Sequence, residues 1–215
     1  MLADTLKVPA DYSTIQAALI AAQDGDTIAI SAGTYQGSYV DAQGMSLLIT
    51  GETNPDGTPA VIIDGMQSGA VLQCNGGEDS TTIFRNLVLT NGSSYYGGGM
   101  TLYSGCSPRI ENCHFIANIG TIDGGGVHLR EDCNPEFIDC VFSENTTSGQ
   151  GGGIYCMDGS SPKLFNCTIS NNTALFYGGG IYCLNASNPI FTNCRVLGNT
   201  GGRGGGLYCT ASDPQ

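Results

Sequence analysis

The residues best equipped for chemistry are bunched in Val127-His128-Leu129-Arg130-Glu131-Asp132-Cys133, and Asp158 lies 27 residues beyond Glu131. An imidazole beside two carboxylates and a guanidinium suffices for general acid–base work, and carboxylates holding calcium suffice for an assisted elimination. The same groups also make an ordinary solvated turn. With no buried partner in view to shift a pKa, the surface reading is the stronger. A second set is aromatic: Tyr103, Tyr155, Tyr182 and Tyr208. Such rings stack on the apolar faces of sugars or, more commonly, on one another as cross-strand pairs. The third set is 10 cysteines, none in the close C-x-x-C pairs a zinc site wants. No metal and no cofactor is called for; calcium is the one ion the carboxylates would suit.

These residues fall on a repeat. Glycine triplets open at Gly97, Gly124, Gly151, Gly178 and Gly204, at spacings of 27, 27, 27 and 26. Cys113, Cys140, Cys167 and Cys194 keep the same period of 27, as do Pro108, Pro135, Pro162 and Pro189. Within a unit, alternation after the glycines predicts one strand (Ile181-Tyr182-Cys183), and Pro189 introduces a second (Ile190-Phe191-Thr192). Asn193 breaks the pattern and Cys194-Arg195-Val196-Leu197 is the third; Gly198 to Gly201 reads as a turn. No unit holds a helix-length periodic stretch. Three short strands per coil, stacked in parallel, bury continuous columns: Met100, Val127, Ile154, Ile181 and Leu207; Ile110, Phe137, Leu164 and Phe191; Phe115, Phe142, Ile169 and Val196.

The earlier residues spell the same plan more loosely, with strands expected at 27–31, 47–50, 61–64, 71–74 and 82–89. The exception is 13–22, where a Ser/Thr start and apolar residues at helical spacing predict one helix covering the open first coil. The expected organisation is one all-β domain over 1–215: an N-terminal strand and capping helix (1–26), irregular coils (27–96) and regular 27-residue coils (97–215), cut short at the C-terminus. About seven coils result.

Composition narrows the partners. A net charge of −12 repels phosphate backbones, which argues against nucleic acid. No apolar run is long enough to span a membrane, and Met1-Leu2-Ala3-Asp4 lacks signal-peptide character, so either an export signal was removed or the protein is not exported by that route.

Tyr12-Ser13-Thr14-Ile15-Gln16-Ala17-Ala18-Leu19, then Asp24-Gly25-Asp26-Thr27-Ile28 and Ala32-Gly33-Thr34-Tyr35, resemble the opening of the pectin-lyase-like superfamily. The later units resemble its generic β-helix repeat. They also resemble polymorphic outer-membrane protein repeats, through Gly98-Gly99-Met100, Gly125-Gly126-Val127, Phe115-Ile116-Ala117-Asn118 and Phe142-Ser143-Glu144-Asn145, although Ile169 and Val196 replace Phe later. The resemblance implies a right-handed parallel β-helix. It also implies that a polysaccharide site, if present, lies on the outer face of the first strand of each coil. Here that face carries Thr101, Tyr103, His128, Arg130, Tyr155, Tyr182 and Tyr208. The Asn-Thr-Asp, Asp-Asp and Gly-His-Gly segments of galacturonase-type hydrolases are missing, as are the later motifs of pectin esterases and the calcium carboxylates of pectate lyases.

Several columns read as structural. Asn86, Asn112, Asp139, Asn166 and Asn193 share the bend between second and third strands, where amides satisfy buried polar groups; the resemblance implies an asparagine ladder there. Asn118, Asn145, Asn172 and Asn199 are a second candidate ladder. Cys113, Cys140, Cys167 and Cys194 read as buried thiols, because in-register side chains point in parallel and suit a disulfide poorly. Cys106 and Cys133, in turns, are the best disulfide candidates. Arg109, Glu136 and Lys163 form an outward column of alternating charge. The expectation is a non-catalytic extracellular or bacterial-type cell-surface module serving as stalk, adhesin segment or glycan-contacting scaffold. Its alternatives are a lyase or hydrolase of acidic polysaccharide and a subunit that self-associates end to end.

Overall fold

The computed structural model describes residues 3–37 and 39–215, so the first two residues of the expected N-terminal strand-and-helix region, 1–26, lie outside it. The chain is an all-β parallel solenoid of about seven turns with one short helix near the N-terminus. Every strand-to-strand pairing of the named strands is parallel, and the registers reproduce the repeat: Val127 opposes Ile154, Ile154 opposes Ile181, and Ile181 opposes Leu207. The other two expected columns hold equally, through Ile110, Phe137, Leu164 and Phe191, and through Phe115, Phe142, Ile169 and Val196. Period alone sets this arrangement, since a one-residue slip would turn every buried side chain outward.

Three sheets carry these columns. The glycine sheet, following the triplets, has seven strands; the proline sheet has eight; the cysteine sheet, after the Cys column, has seven. The expected strand over 82–89 is two strands, Ile83–Arg85 and Leu87–Thr90, because Asn86 takes a left-handed turn between them. The early turns also contain strands that the looser spelling hid, at Gly33–Gln36 and Val40–Asp41.

A fourth sheet of five strands corrects the expectation of three strands per coil. The segments read as turns before the glycines are strands: Ser93–Tyr96, Ile119–Asp123, Thr146–Thr147, Thr173–Tyr177 and Thr200–Arg203. They lack clean alternation, and their register shifts between Ser94 and Tyr96 and again between Ala174 and Tyr177. Irregularity of that kind erases the period-two signal.

The helix spans Ile15–Ala21, with Thr14 as its N-cap accepting from the Ala17 amide at 3.1 Å. It buries Ile15, Ala18 and Leu19 against the first coil, as expected of a lid. At the other end Val196 and Leu207 are 43% and 40% exposed, whereas their counterparts one coil earlier are buried.

Both asparagine columns form ladders, and the two differ in burial. At the bend between proline and cysteine sheets, Asn86, Asn112, Asp139, Asn166 and Asn193 all have φ between 47° and 58°, and their side chains lie at the surface or half-buried. Asn and Asp tolerate this conformation better than most residues, which accounts for the column. Three side-chain contacts link it: Asn112 to Asn86 at 2.9 Å, Asn166 to Asp139 at 3.0 Å and Asn193 to Asn166 at 2.8 Å. The buried ladder is the other column. Asn145 donates to the Phe115 carbonyl and to Asn172 Oδ1, both at 2.9 Å, and accepts from the Asn118 backbone and side chain at 3.0 and 3.1 Å. Asn172 repeats the pattern one coil on.

The buried ladder explains the glycines. A Cβ on Gly126, the last of its triplet, would lie 3.0 Å from Asn145 Nδ2 and 2.6 Å from the Gly153 carbonyl oxygen. The first of each triplet has φ between 58° and 67°, which turns the chain into the glycine sheet.

All ten cysteines are free thiols, including Cys106 and Cys133, the two best disulfide candidates. Each has another partner: the Cys106 thiol donates to Glu78 at 3.1 Å, and Cys133 to the Arg130 carbonyl at 3.1 Å. In the main column Cys113, Cys140 and Cys167 are buried and donate to the carbonyls of Glu111, Ile138 and Phe165 at 3.3, 3.3 and 3.4 Å; Cys194 is half-buried. Burial pushes the Cys113 thiol up to about 12, so it stays protonated and acts as a small hydrophobe. In the charge column Lys163 pairs with Glu136 at 3.2 Å, but Arg109 turns instead to Glu111, which also holds Arg85 at 2.6 Å.

Candidate functional site

The outer face of the glycine sheet is closed from Thr101 to Tyr182, which corrects the exposure expected there, while Tyr103, Arg130 and Tyr208 stay half-buried. Thr101, His128, Tyr155 and Tyr182 stand in register there, and all four are buried. The cover comes from the fourth sheet. Its last residue before each triplet leans over the column: the Tyr96 ring is 4.9 Å from His128, and Tyr177 is 6.1 Å from Tyr182 and 4.8 Å from Tyr208. Those flanking positions, 96, 123, 150, 177 and 203, keep the 27, 27, 27, 26 spacing and hold Tyr, Asp, Gln, Tyr and Arg.

Within the column the rings use each other's faces. His128 stacks on Tyr155 at 5.0 Å and an interplanar angle of 5°, Tyr155 on Tyr182 at 5.3 Å, and Tyr182 on Tyr208 at 5.8 Å. A sugar has no free ring face to lie on at Tyr155 or Tyr182. Tyr103 and Tyr208 are only half-buried, and Tyr103 carries the Arg130 guanidinium 5.5 Å from its ring centre.

His128 is 1% exposed, and neither Nδ1 nor Nε2 has a hydrogen-bond partner among the described residues. Burial first, and Arg130 second, press its pKa down to about 3, with Asp158 opposing weakly. The imidazole is therefore neutral at physiological pH. A buried polar group left unmatched costs stability, and here the ring lies between Thr101 and Tyr155 in the column.

The other candidates gather at the turn after the strand, apart from His128. Arg130 Nε donates to Glu131 Oε1 at 2.9 Å, and Ser104 Oγ donates to Glu131 Oε2 at 3.3 Å. The Arg130 bond holds the Glu131 carboxyl below its ordinary range. Glu131, Asp132 and Asp158 have φ of 66°, 60° and 51°, the left-handed positions of adjacent turns, and Asp132 and Asp158 are exposed. Asp158 accepts from Asn185 Nδ2 at 3.0 Å. The surface reading holds for the carboxylates and fails for the histidine. No group of three or more His, Cys, Asp or Glu is placed to hold a metal ion among the described residues.

One buried acid escaped notice in the sequence. Glu78 is 1% exposed and accepts from the Gly44 and Gly76 amides at 2.8 and 3.0 Å as well as from Cys106. It clamps two early turns together. Nothing in its neighbourhood, Gly76-Gly77-Glu78-Asp79, distinguishes it from a solvated loop acid.

Parallel in-register coils wound around a single core define a parallel β-helix. The family model for the right-handed beta helix region matches residues 68–214, more than half of the chain, and the protein belongs to that family. No curated protein sequence matches it. Among solved structures it is similar to the pectin methylesterase from Aspergillus niger in deglycosylated form: TM-score 0.57, 16% identity, covering 99% of this chain and 84% of that one. At that identity the likeness is one of fold. No described helix is long and apolar enough to cross a membrane.

Proposed function

We propose that this protein is a non-catalytic β-helix module, a rigid scaffold at or outside a bacterial-type cell surface that contacts glycans. The observation that carries the reading is the sealed outer face of the glycine sheet. Its histidine is buried, neutral and unpaired, and the nearby carboxylates are spent on turns or on Arg130. General acid–base work needs a titratable group within hydrogen-bond reach of substrate, and His128 is screened from any. A regular solenoid supplies length and stiffness, and its lateral surfaces supply area for contact. The fold shared with a carbohydrate-active protein supports the glycan half of the proposal.

The test combines turnover assays on neutral and acidic polysaccharides, including ester release, with a glycan array. Array binding without product supports the scaffold. Product formation that disappears in the His128→Ala, Arg130→Ala double variant, with an unchanged melting temperature, would instead establish a lyase or hydrolase at that turn.

A further inference from the structure

A cavity lies away from the glycine-sheet column, at the N-terminal lid. Gly33–Gln36 is the terminal strand of the cysteine sheet and Val40–Asp41 that of the glycine sheet. Between them and the start of the helix is a cleft of about 650 Å³, within the range of small-ligand sites. Its floor is apolar, formed by Ile15, Val40 and Ile63, all buried. Its rim is polar: Gln16, Thr34 and Gln36 are exposed and line it. Tyr35 forms one wall, fixed by its hydroxyl donating to the Ser31 carbonyl at 2.9 Å.

Tyr39 forms another wall, and its placement is costly. It has φ of 68°, a conformation that bulky side chains rarely adopt, and its amide donates to the Ala70 carbonyl at 3.0 Å. Its ring passes over Gly69, where a Cβ would lie 2.8 Å from the tyrosine oxygen. The ring stays 52% exposed. Beyond it a second cavity of about 420 Å³ begins, lined by Tyr39, Ser93, Ser94, Thr121 and a 72% exposed Tyr95, among others. Tyr39 is thus the wall common to two cavities that follow one another along the solenoid.

We infer that this cleft binds a neutral oligosaccharide, running from the helix across Tyr39 toward Tyr95. The inference rests on the glycan-contacting half of the proposed function and names its site and ligand class. A pyranose has apolar C–H faces and a hydroxyl edge, and the cleft offers an apolar floor, tyrosine walls, amides and hydroxyls in matching places. Among the described residues no aromatic ring stacks on these tyrosines, unlike those of the sealed column. Among the described residues no charged side chain lines either cavity, and the molecule carries −12, so a uronate finds no counter-charge and meets repulsion.

Titration calorimetry with cellohexaose, xylohexaose, mannohexaose and trigalacturonate tests this. At least one neutral hexasaccharide should bind in preference to trigalacturonate. Tyr39→Ala should weaken it by about tenfold, the size of one lost aromatic contact. Gln36→Ala, at an exposed rim position, should weaken it severalfold and guards against misfolding of the first variant. Tyr208→Ala should leave binding unchanged. Binding that survives both cleft variants, or favours trigalacturonate, overturns the cleft assignment while leaving the scaffold reading standing. Absence of binding to the four probes sinks this inference, and only an empty glycan array would take the glycan half of the proposed function with it.

Discussion

One column of asparagines, at 118, 145, 172 and 199, runs through the interior, while the other, at 86, 112, 166 and 193 with Asp139 between, lines an exposed corner. Both keep the same period, and both link amides from coil to coil. The interior column completes backbone hydrogen bonds that water cannot reach, such as the Phe115 and Phe142 carbonyls. The corner column is chosen for its backbone, since each member holds a left-handed φ that most residues resist. Identical side chains are retained for different physical reasons, and only burial tells them apart.

The largest expected effect separates the two columns directly. Asn145→Ala strands buried partners above and below it and should cost roughly 3–5 kcal/mol in urea unfolding. A loss no larger than that of a corner variant would erase the distinction. Next comes Gly126→Ala, which drives a methyl against Asn145 and the Gly153 carbonyl and should cost about 3 kcal/mol. Near-neutral behaviour would mean the ladder can shift to make room.

His128 sharpens the comparison, because it is buried like the interior asparagines yet unsatisfied. The native imidazole stays neutral down to about pH 3, whereas an unfolded histidine takes up a proton near its ordinary value of 6.5. Proton uptake therefore favours the unfolded chain below pH 6.5. Stability from this group is whole above that pH and declines as pH falls, by roughly 3 kcal/mol at pH 4. His128→Phe should remove that part of the slope and be no less stable at pH 7; parallel pH profiles for the two proteins would contradict the buried, neutral histidine. The smallest effect belongs to the corner. Asn166→Ala should cost about 1 kcal/mol and Asn166→Gly almost nothing, since glycine adopts the turn freely. A glycine variant as damaging as alanine would show that the side-chain link to Asp139 matters more than the backbone.

What the sequence made legible was whatever repeats with a period. Ile110, Phe137, Leu164 and Phe191 lie one over another because alternation and spacing leave no other arrangement. The fourth sheet was hidden, since Ser93-Ser94-Tyr95-Tyr96 and Thr146-Thr147 share no pattern of polarity. That omission propagated to the candidate site. Without Tyr96 and Tyr177 overhead, His128 and Tyr182 read as exposed. Both asparagine columns were legible as ladders, but which of them is buried was not, because side-chain direction at a bend follows from φ, which residue type suggests but does not fix.

Coil-to-coil pairing has an engineering consequence. The described hydrogen bonds of residues 124–150 to other laps run to the laps beside them, and Gln150 occupies the place in its lap that Asp123 holds in the one before. Excising residues 124–150 would therefore join Asp123 to Gly151 with each surviving column still aligned. The regular portion behaves as a cassette rod, whose length is adjustable in whole-lap increments without redesigning either end.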